Sequence, residues 1–243
     1  MNQMEHLNIY ETPDRKLDKM VVVFSGWADA AEGASSAIKF LLRKLHAQKF
    51  ADIDPEEFYD FSQTRPHSSR TRDGKRRIHW PANEFSYLKD TDTESGIMVF
   101  VGVEPNLKWR TFSKTVARVA REHGVKTVIH IGALLDAVPH TRPVKLSGTA
   151  SEPKLSEFLE SQGIRSSNYQ GPTGISSAIM DACINEGMDY TSIWGHTSHY
   201  LQAAPNHRIG SNLLQVLVKL LDLPLDLSEL ISAADMFNEE VAK

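Results

Sequence analysis

Residues 127–134 read TVIHIGAL, an almost unbroken apolar run whose Val128, Ile129 and Ile131 are β-branched. Such a run suits a strand covered on both faces, because a strand with one wet face alternates apolar and polar residues. Outward from it, MVVVF (20–24), EFYDF (57–61), IMVFVGV (97–103) and TSIWG (191–195) repeat the β-rich pattern. Between these runs the spacing becomes helical: Trp109, Phe112, Val116, Val119, Ala120 and His123 recur after IMVFVGV, and Ile175, Ile179, Ala182 and Cys183 recur before TSIWG. Buried strands alternating with helices predict an α/β protein, three-layer α/β/α with a mostly parallel central sheet. Within TRDGKRRIHW (71–80), Asp73-Gly74 is a tight-turn signal and predicts an inserted antiparallel β-hairpin.

The length fits one core, so residues 1–243 are read as a single domain. Within it, 206–243 form a C-terminal helical part. Leu213, Leu214, Val216, Leu217, Val218, Leu220 and Leu221 make one helix apolar on nearly every side, so it must be buried twice. The following segment, with Leu227, Leu230, Ile231, Ala234, Phe237 and Val241, is amphipathic and packs on the domain or on a second copy. These two helices are the sequence-level reason to expect a homo-oligomer.

A net charge of −4 gives no general attraction to nucleic acid. The basic residues of the hairpin, Arg70, Arg72, Lys75, Arg76 and Arg77, are interleaved with only one aromatic, Trp80, and read as a solvated face. No apolar run in the first twenty residues suits a signal peptide, and LLQVLVKLLDLPL is broken by Lys219, Asp222 and Pro224, so a cytoplasmic protein without a membrane partner is expected. The single cysteine, Cys183, lies among apolar neighbours and is expected to be a buried, inert thiol.

Ligands of open parallel sheets bind beyond the carboxyl ends of the strands. There this sequence is polar: SGWADAAEG, SQTRPH, EPNLKWR, DAVPHTRP and HTSHY follow the five runs in turn. If the strands are parallel, Trp27, Asp29, Arg65, Glu104, Arg110, His140, Arg142, His196 and His199 gather on one rim, and Thr173 of GPTGI (171–175) joins them at a helix start. Asp29 suits a helix cap better than a phosphate site, since Gly26 and Gly33 match no phosphate-binding glycine pattern. GASSAI (33–38) and GISSAI (174–179) are not nucleophile elbows and read as small residues for close helix packing. GPTGI either cradles an anion on free N–H groups or supplies Thr173 as a helix cap. Arg65 and Arg142, each in a Thr-Arg-Pro tripeptide, either grip an anion or pair with Asp29, Glu104 or Asp136, the second being favoured. His196 and His199, with His207 beyond, lack the spacing of a zinc site; structural hydrogen bonds come first and acid–base duty second. No metal or cofactor is expected.

The ordered set GWADA, DFSQTRP, RRIHWP, GVEPNLKWR, IGALLDAVPHTRPV, GPTGI and WGHTSHY, followed by the Pro-Asn of AAPNH, resembles the proteasome assembly chaperone two family over about residues 8–225. The resemblance implies an α/β/α fold related in shape to nucleoside phosphorylases, assembly into homo-oligomers of three or more copies, and a protein partner related to the proteasome. It implies no catalysed reaction, because the best understood relatives are non-enzymatic chaperones of ring assembly. Archaeal relatives that dock on proteasome subunits can end in a hydrophobic residue, a tyrosine and a final residue. Here Val241-Ala242-Lys243 departs from that pattern, which puts docking by the tail in doubt. The expected function is thus an oligomeric protein-binding chaperone or adaptor; the alternative is a small-molecule anion-binding enzyme or sensor that uses the rim.

Overall fold

The computed structural model describes residues 5–89, 91, 95–167, 169–201 and 203–242. They form strands β1 (Leu7–Ile9), β2 (Leu17–Ser25), β3 (Gln48–Ile53), β4 (His67–Arg70), β5 (Arg76–His79), β6 (Glu84–Tyr87), β7 (Gly96–Val103), β8 (Thr127–Asp136), β9 (Lys145–Ala150) and β10 (Asp189–Ser198). The helices are α1 (Gly33–Lys44), α2 (Trp109–Glu122), α3 (Pro153–Ser161), α4 (Ile175–Asn185), α5 (His207–Leu221) and α6 (Ser228–Val241). One mixed sheet runs β1-β3-β6-β7-β2-β8-β10-β9. Its four central strands, β7, β2, β8 and β10, are parallel, while β6 and β9 join them antiparallel on either side.

Alternation along β2 explains why its sequence is apolar throughout. Met20, Val22 and Phe24 face a layer made by Phe112 and Val116 of α2 and Ile179 of α4. Val21 and Val23 point the other way, into Ile38 and Leu41 of α1 and Leu213 and Leu217 of α5. Both faces are dry, which gives the three-layer α/β/α architecture expected from the buried runs.

α5 is covered by the sheet and α1 on one side and by α6 of the same chain on the other, where Leu230 joins its cluster and Phe237 is also buried. Glycine permits the close approach of α1: a Cβ on Gly210 would lie 3.0 Å from the Gly33 carbonyl oxygen. This is the tight packing predicted for the GASSAI helix start.

The β4–β5 hairpin forms around Gly74, whose φ of +82° favours glycine, and every residue of both strands is exposed. No helix among the described residues is long and apolar enough to cross a membrane. Cys183 is buried, and desolvation pushes its thiol up to about 12, as expected of an inert position.

One expected strand is absent. EFYDF folds as turns, with the Phe58 N–H donating to the Pro55 carbonyl at 3.0 Å and the Phe58 carbonyl accepting from Asn106 and Leu107. Its apolar content reflects burial rather than pairing: Phe58 and Tyr59 enter the core, and the Tyr59 hydroxyl lies 2.6 Å from the Val103 carbonyl and 2.7 Å from Asn83 Oδ1. β3 and β6 occupy the sheet positions instead.

Candidate functional site

At the carboxyl ends of the parallel strands, two constellations form on the face covered by α2 and α4. The first ties the loop after β7 to the start of α4. Glu104 Oε1 accepts the N–H of Ile175 at 2.8 Å, so a carboxylate from another strand satisfies one of the free donors at this helix start. The cap position is Gly174, not Thr173 as the sequence suggested; the Thr173 hydroxyl bonds Ser177 instead. Trp27 closes over the same corner, since a Cβ on Gly174 would meet its ring at 3.1 Å, yet the indole remains 64% exposed. The place where GPTGI would hold an anion is therefore filled by Glu104. Glu104→Ala is expected to destabilise the protein by about 1–2 kcal/mol in urea unfolding, the usual cost of a lost cap; Glu104→Gln should retain part of it.

The second constellation spans three strands. His196 on β10 pairs with Leu134 of β8 and Lys145 of β9. Two residues further along those neighbours come Asp136 and Ser147. Even steps return to the same face of a sheet, so Asp136, His196 and Ser147 project together. His196 Nδ1 lies 2.8 Å from Asp136 Oδ2, and its Nε2 lies 2.7 Å from Ser147 Oγ. Asp136 also accepts from Lys145 Nζ at 3.0 Å and from the Ala137 N–H at 2.7 Å. The Lys145 ammonium is the leading reason that its carboxyl is held down to about 2. Burial lowers the His196 imidazole against the opposing pull of Asp136. The chemistry of the partners assigns the protons: an ionised Asp136 can only accept, so Nδ1 carries hydrogen, and the neutral ring's Nε2 accepts from the Ser147 hydroxyl.

The other rim residues scatter. Asp29 is buried and accepts from the N–H groups of Ala34 at 2.7 Å and Ser35 at 3.2 Å, so it supports the start of α1 as expected. Burial is the main reason its carboxyl is raised. Arg65, Arg110 and Arg142 are exposed. The favoured pairing of Arg65 and Arg142 with acids is not what the structure has: Asp29 and Glu104 serve backbone N–H groups, and Asp136 serves Lys145 and His196. Arg65 also loses its strand, because EFYDF is not one.

His140 contacts the Tyr200 hydroxyl at 3.0 Å, and the Arg208 guanidinium donates to the carbonyls of His140 and Arg142. His199 is exposed beside Tyr200, with ring centroids 5.3 Å apart, while His207 starts α5. The three histidines thus diverge, and among the described residues no three His, Cys, Asp or Glu side chains are placed to hold a metal. His140, Arg142, Lys145, His196 and Arg208 line one small cavity at this end. A wider groove opens at the opposite end, between Asp18, Lys19 and the Leu221 to Pro224 turn, where Lys219 and Asp222 add further charge but none of the sequence-predicted rim residues lies.

Ser147, Lys145 and Arg208 were missed by sequence reasoning. KLSGTA (145–150) carries too little apolar patterning to announce a strand, so nothing marked Ser147 as facing His196.

The sequence pattern of the PAC2 family matches residues 23–243. A proteasome-assembly chaperone homologue from Mycobacterium tuberculosis is 32% identical, with 92% of this chain and 94% of that one aligned at a TM-score of 0.84. A PAC2 family protein from Streptomyces avermitilis is 35% identical, with 93% and 94% aligned at a TM-score of 0.83. An archaeal proteasome activator from Pyrococcus furiosus, PbaB, is 17% identical over 98% of both chains, with a TM-score of 0.77, and shares the fold. Among curated proteins none matches. With the family pattern spanning nearly the whole sequence and relatives above 30% identity aligned over both chains, this protein belongs to the PAC2 family.

Proposed function

We propose that this protein is an oligomeric chaperone or adaptor that binds other proteins, with a proteasome subunit as the partner class. The observation that carries this reading is a set of large apolar side chains left in solvent on the loops at the carboxyl ends of the parallel strands. Trp27, Leu107, Tyr169 and Tyr200 are each about half exposed or more, as is Leu135 at the end of β8. Aromatic residues presented in this way on loops suit the buried centre of a protein interface better than a small-molecule pocket. The names of the related structures, a proteasome-assembly chaperone homologue and a proteasome activator, support the same class of partner. Assembly of three or more copies and a cytoplasmic location belong to this proposal.

The test is binding of the full chain to purified proteasome core-particle subunits, with the oligomeric state followed by sedimentation. Wild type should form a stoichiometric complex and sediment as a trimer or larger species. Trp27→Asp with Tyr200→Asp should weaken the complex at least tenfold, since each aromatic at an interface centre is worth about 2 kcal/mol or more. A monomer that ignores every core-particle subunit would overturn the proposal.

A second reading, an anion-binding enzyme or sensor, is favoured by the cavity that His140, Arg142, Lys145, His196 and Arg208 line. Isothermal titration with inorganic phosphate decides it: saturable binding lost in Arg142→Ala supports the reading, and heat no greater than dilution removes it.

A further inference from the structure

We propose that Ser147, His196 and Asp136 form an acyl-transfer centre in which Ser147 is the nucleophile towards small, activated acyl esters. The inference goes beyond the protein-binding role and stands on geometry that no part of that role uses.

Nucleophilic serine chemistry needs three things of its side chains: a hydroxyl, a base within hydrogen-bond reach, and a group that fixes the base's tautomer. Ser147 Oγ to His196 Nε2 is 2.7 Å, and His196 Nδ1 to Asp136 Oδ2 is 2.8 Å. The distances follow the required order, and the roles cannot be exchanged, because the ionised Asp136 compels Nδ1 to be the donor. Lys145 and the Ala137 N–H hold Asp136 from its other sides, so the orienting group is itself fixed.

Ser147 and His196 are themselves buried, 7% and 8% exposed, at an edge of the sheet whose surrounding residues are exposed. Ser147 lies on β9, the edge strand, and its same-face neighbours Lys145 and Thr149 are exposed. The chain at residues 165–167 and 169–173, which passes beside β9 through the Ser147–Arg165 bridge, is exposed as well. Trp194, which pairs with Ser147 across the ladder, is half-buried, with its ring over Gly132 of β8.

The step balances within these residues and water. His196 Nε2 takes the Oγ proton as Oγ bonds to the ester carbonyl carbon and the carbonyl electron pair moves onto oxygen. Collapse of that intermediate breaks the bond to the alkoxy leaving group, which departs with the proton from Nε2 and leaves acyl-Ser147. Water, deprotonated at the same Nε2, attacks the acyl carbon, releases the carboxylic acid and restores the serine. Asp136 touches no substrate atom and is a positioning residue.

The experiment is labelling of the full-length folded protein with a small alkyl fluorophosphonate, with the modified residue mapped by peptide mass spectrometry. Para-nitrophenyl acetate hydrolysis is followed in parallel. The expected result is modification at Ser147, absent in Ser147→Ala and slowed about 100-fold or more in His196→Gln, the usual loss of a general base. Asp136→Asn, which also loses stability, should slow labelling when assayed well below its own melting midpoint, where it is folded. Folded wild type with no label at Ser147, or with the same label in His196→Gln, overturns the proposal and leaves the three side chains as a clamp holding β9 to the sheet. Should His196→Gln not fold, the site of labelling in the wild type decides alone: Ser147 modified ahead of every other serine supports the centre, and random or denaturation-dependent modification removes it.

Discussion

Replacing Phe112 with alanine is expected to destabilise the protein by about 3–5 kcal/mol, lowering its melting midpoint by roughly 10 °C. Phe112 on α2 is fully buried, and its ring meets Phe58 at 5.2 Å, Phe24 at 6.1 Å and Phe100 at 6.2 Å between centroids. It therefore joins the helix, the central sheet and the turn that replaces the expected second strand. Removing the ring leaves a cavity whose walls belong to three separate elements and cannot collapse together. Phe112→Leu, which keeps most of the volume, should cost less than half as much in urea unfolding. An alanine variant within 1 kcal/mol of wild type would mean that these aromatic contacts do not hold α2 on the sheet.

The second large effect is a loss of stability in mild acid caused by His130. This side chain is fully buried on β8 between Phe24 and Trp194, with centroids 6.4 Å and 5.1 Å away, and neither ring nitrogen has a hydrogen-bond partner among the described residues. Desolvation pulls its imidazole down to about 3, so the folded protein keeps it neutral while the unfolded chain protonates near the ordinary histidine value. Below about pH 6.5 the unfolded state binds one more proton than the folded state, and stability falls as pH falls, by up to about 1.4 kcal/mol per unit. Between pH 7 and pH 5 the loss should be about 2 kcal/mol. His196, also lowered, adds in the same direction, whereas Asp136 contributes only near and below the ordinary carboxylate range. Urea unfolding of wild type and His130→Met at both pH values separates them, because His196 is common to both. The Met variant should lose the His130 part of the slope and gain stability at pH 7, since an unsatisfied buried polar group has gone. Equal slopes would refute the assignment.

The four parallel strands were legible because both of their faces are dry, and a doubly buried strand has to be apolar at every position. Met20 to Phe24 and Ile97 to Val101 are such strands, short and rich in β-branched and aromatic residues, which separates them from a doubly buried helix such as α5. α2 and α5 were legible for a related reason, since burial on one stripe or on two sides writes itself into helical spacing. The hairpin at Asp73-Gly74 was readable from its turn alone. EFYDF was misread because aromatic residues announce burial without saying in which conformation, and Phe58 and Tyr59 are buried in a turn.

The sheet edges were not legible. β3, β6 and β9 owe their strand conformation to the neighbours that pair with them, and KLSGTA contains hardly anything that asks to be a strand. That omission hid the feature on which the site depends. By itself the sequence determined that there is a sheet, which strands lie at its centre, that helices cover both faces, and that polar loops follow the strand ends. Only the tertiary structure decided that β9 returns antiparallel along β10 in the register that sets Ser147 against His196, and that Glu104 rather than an anion fills the start of α4. Burial is recorded residue by residue in a chain, whereas strand register and contacts across distant segments arise only when the neighbours are in place.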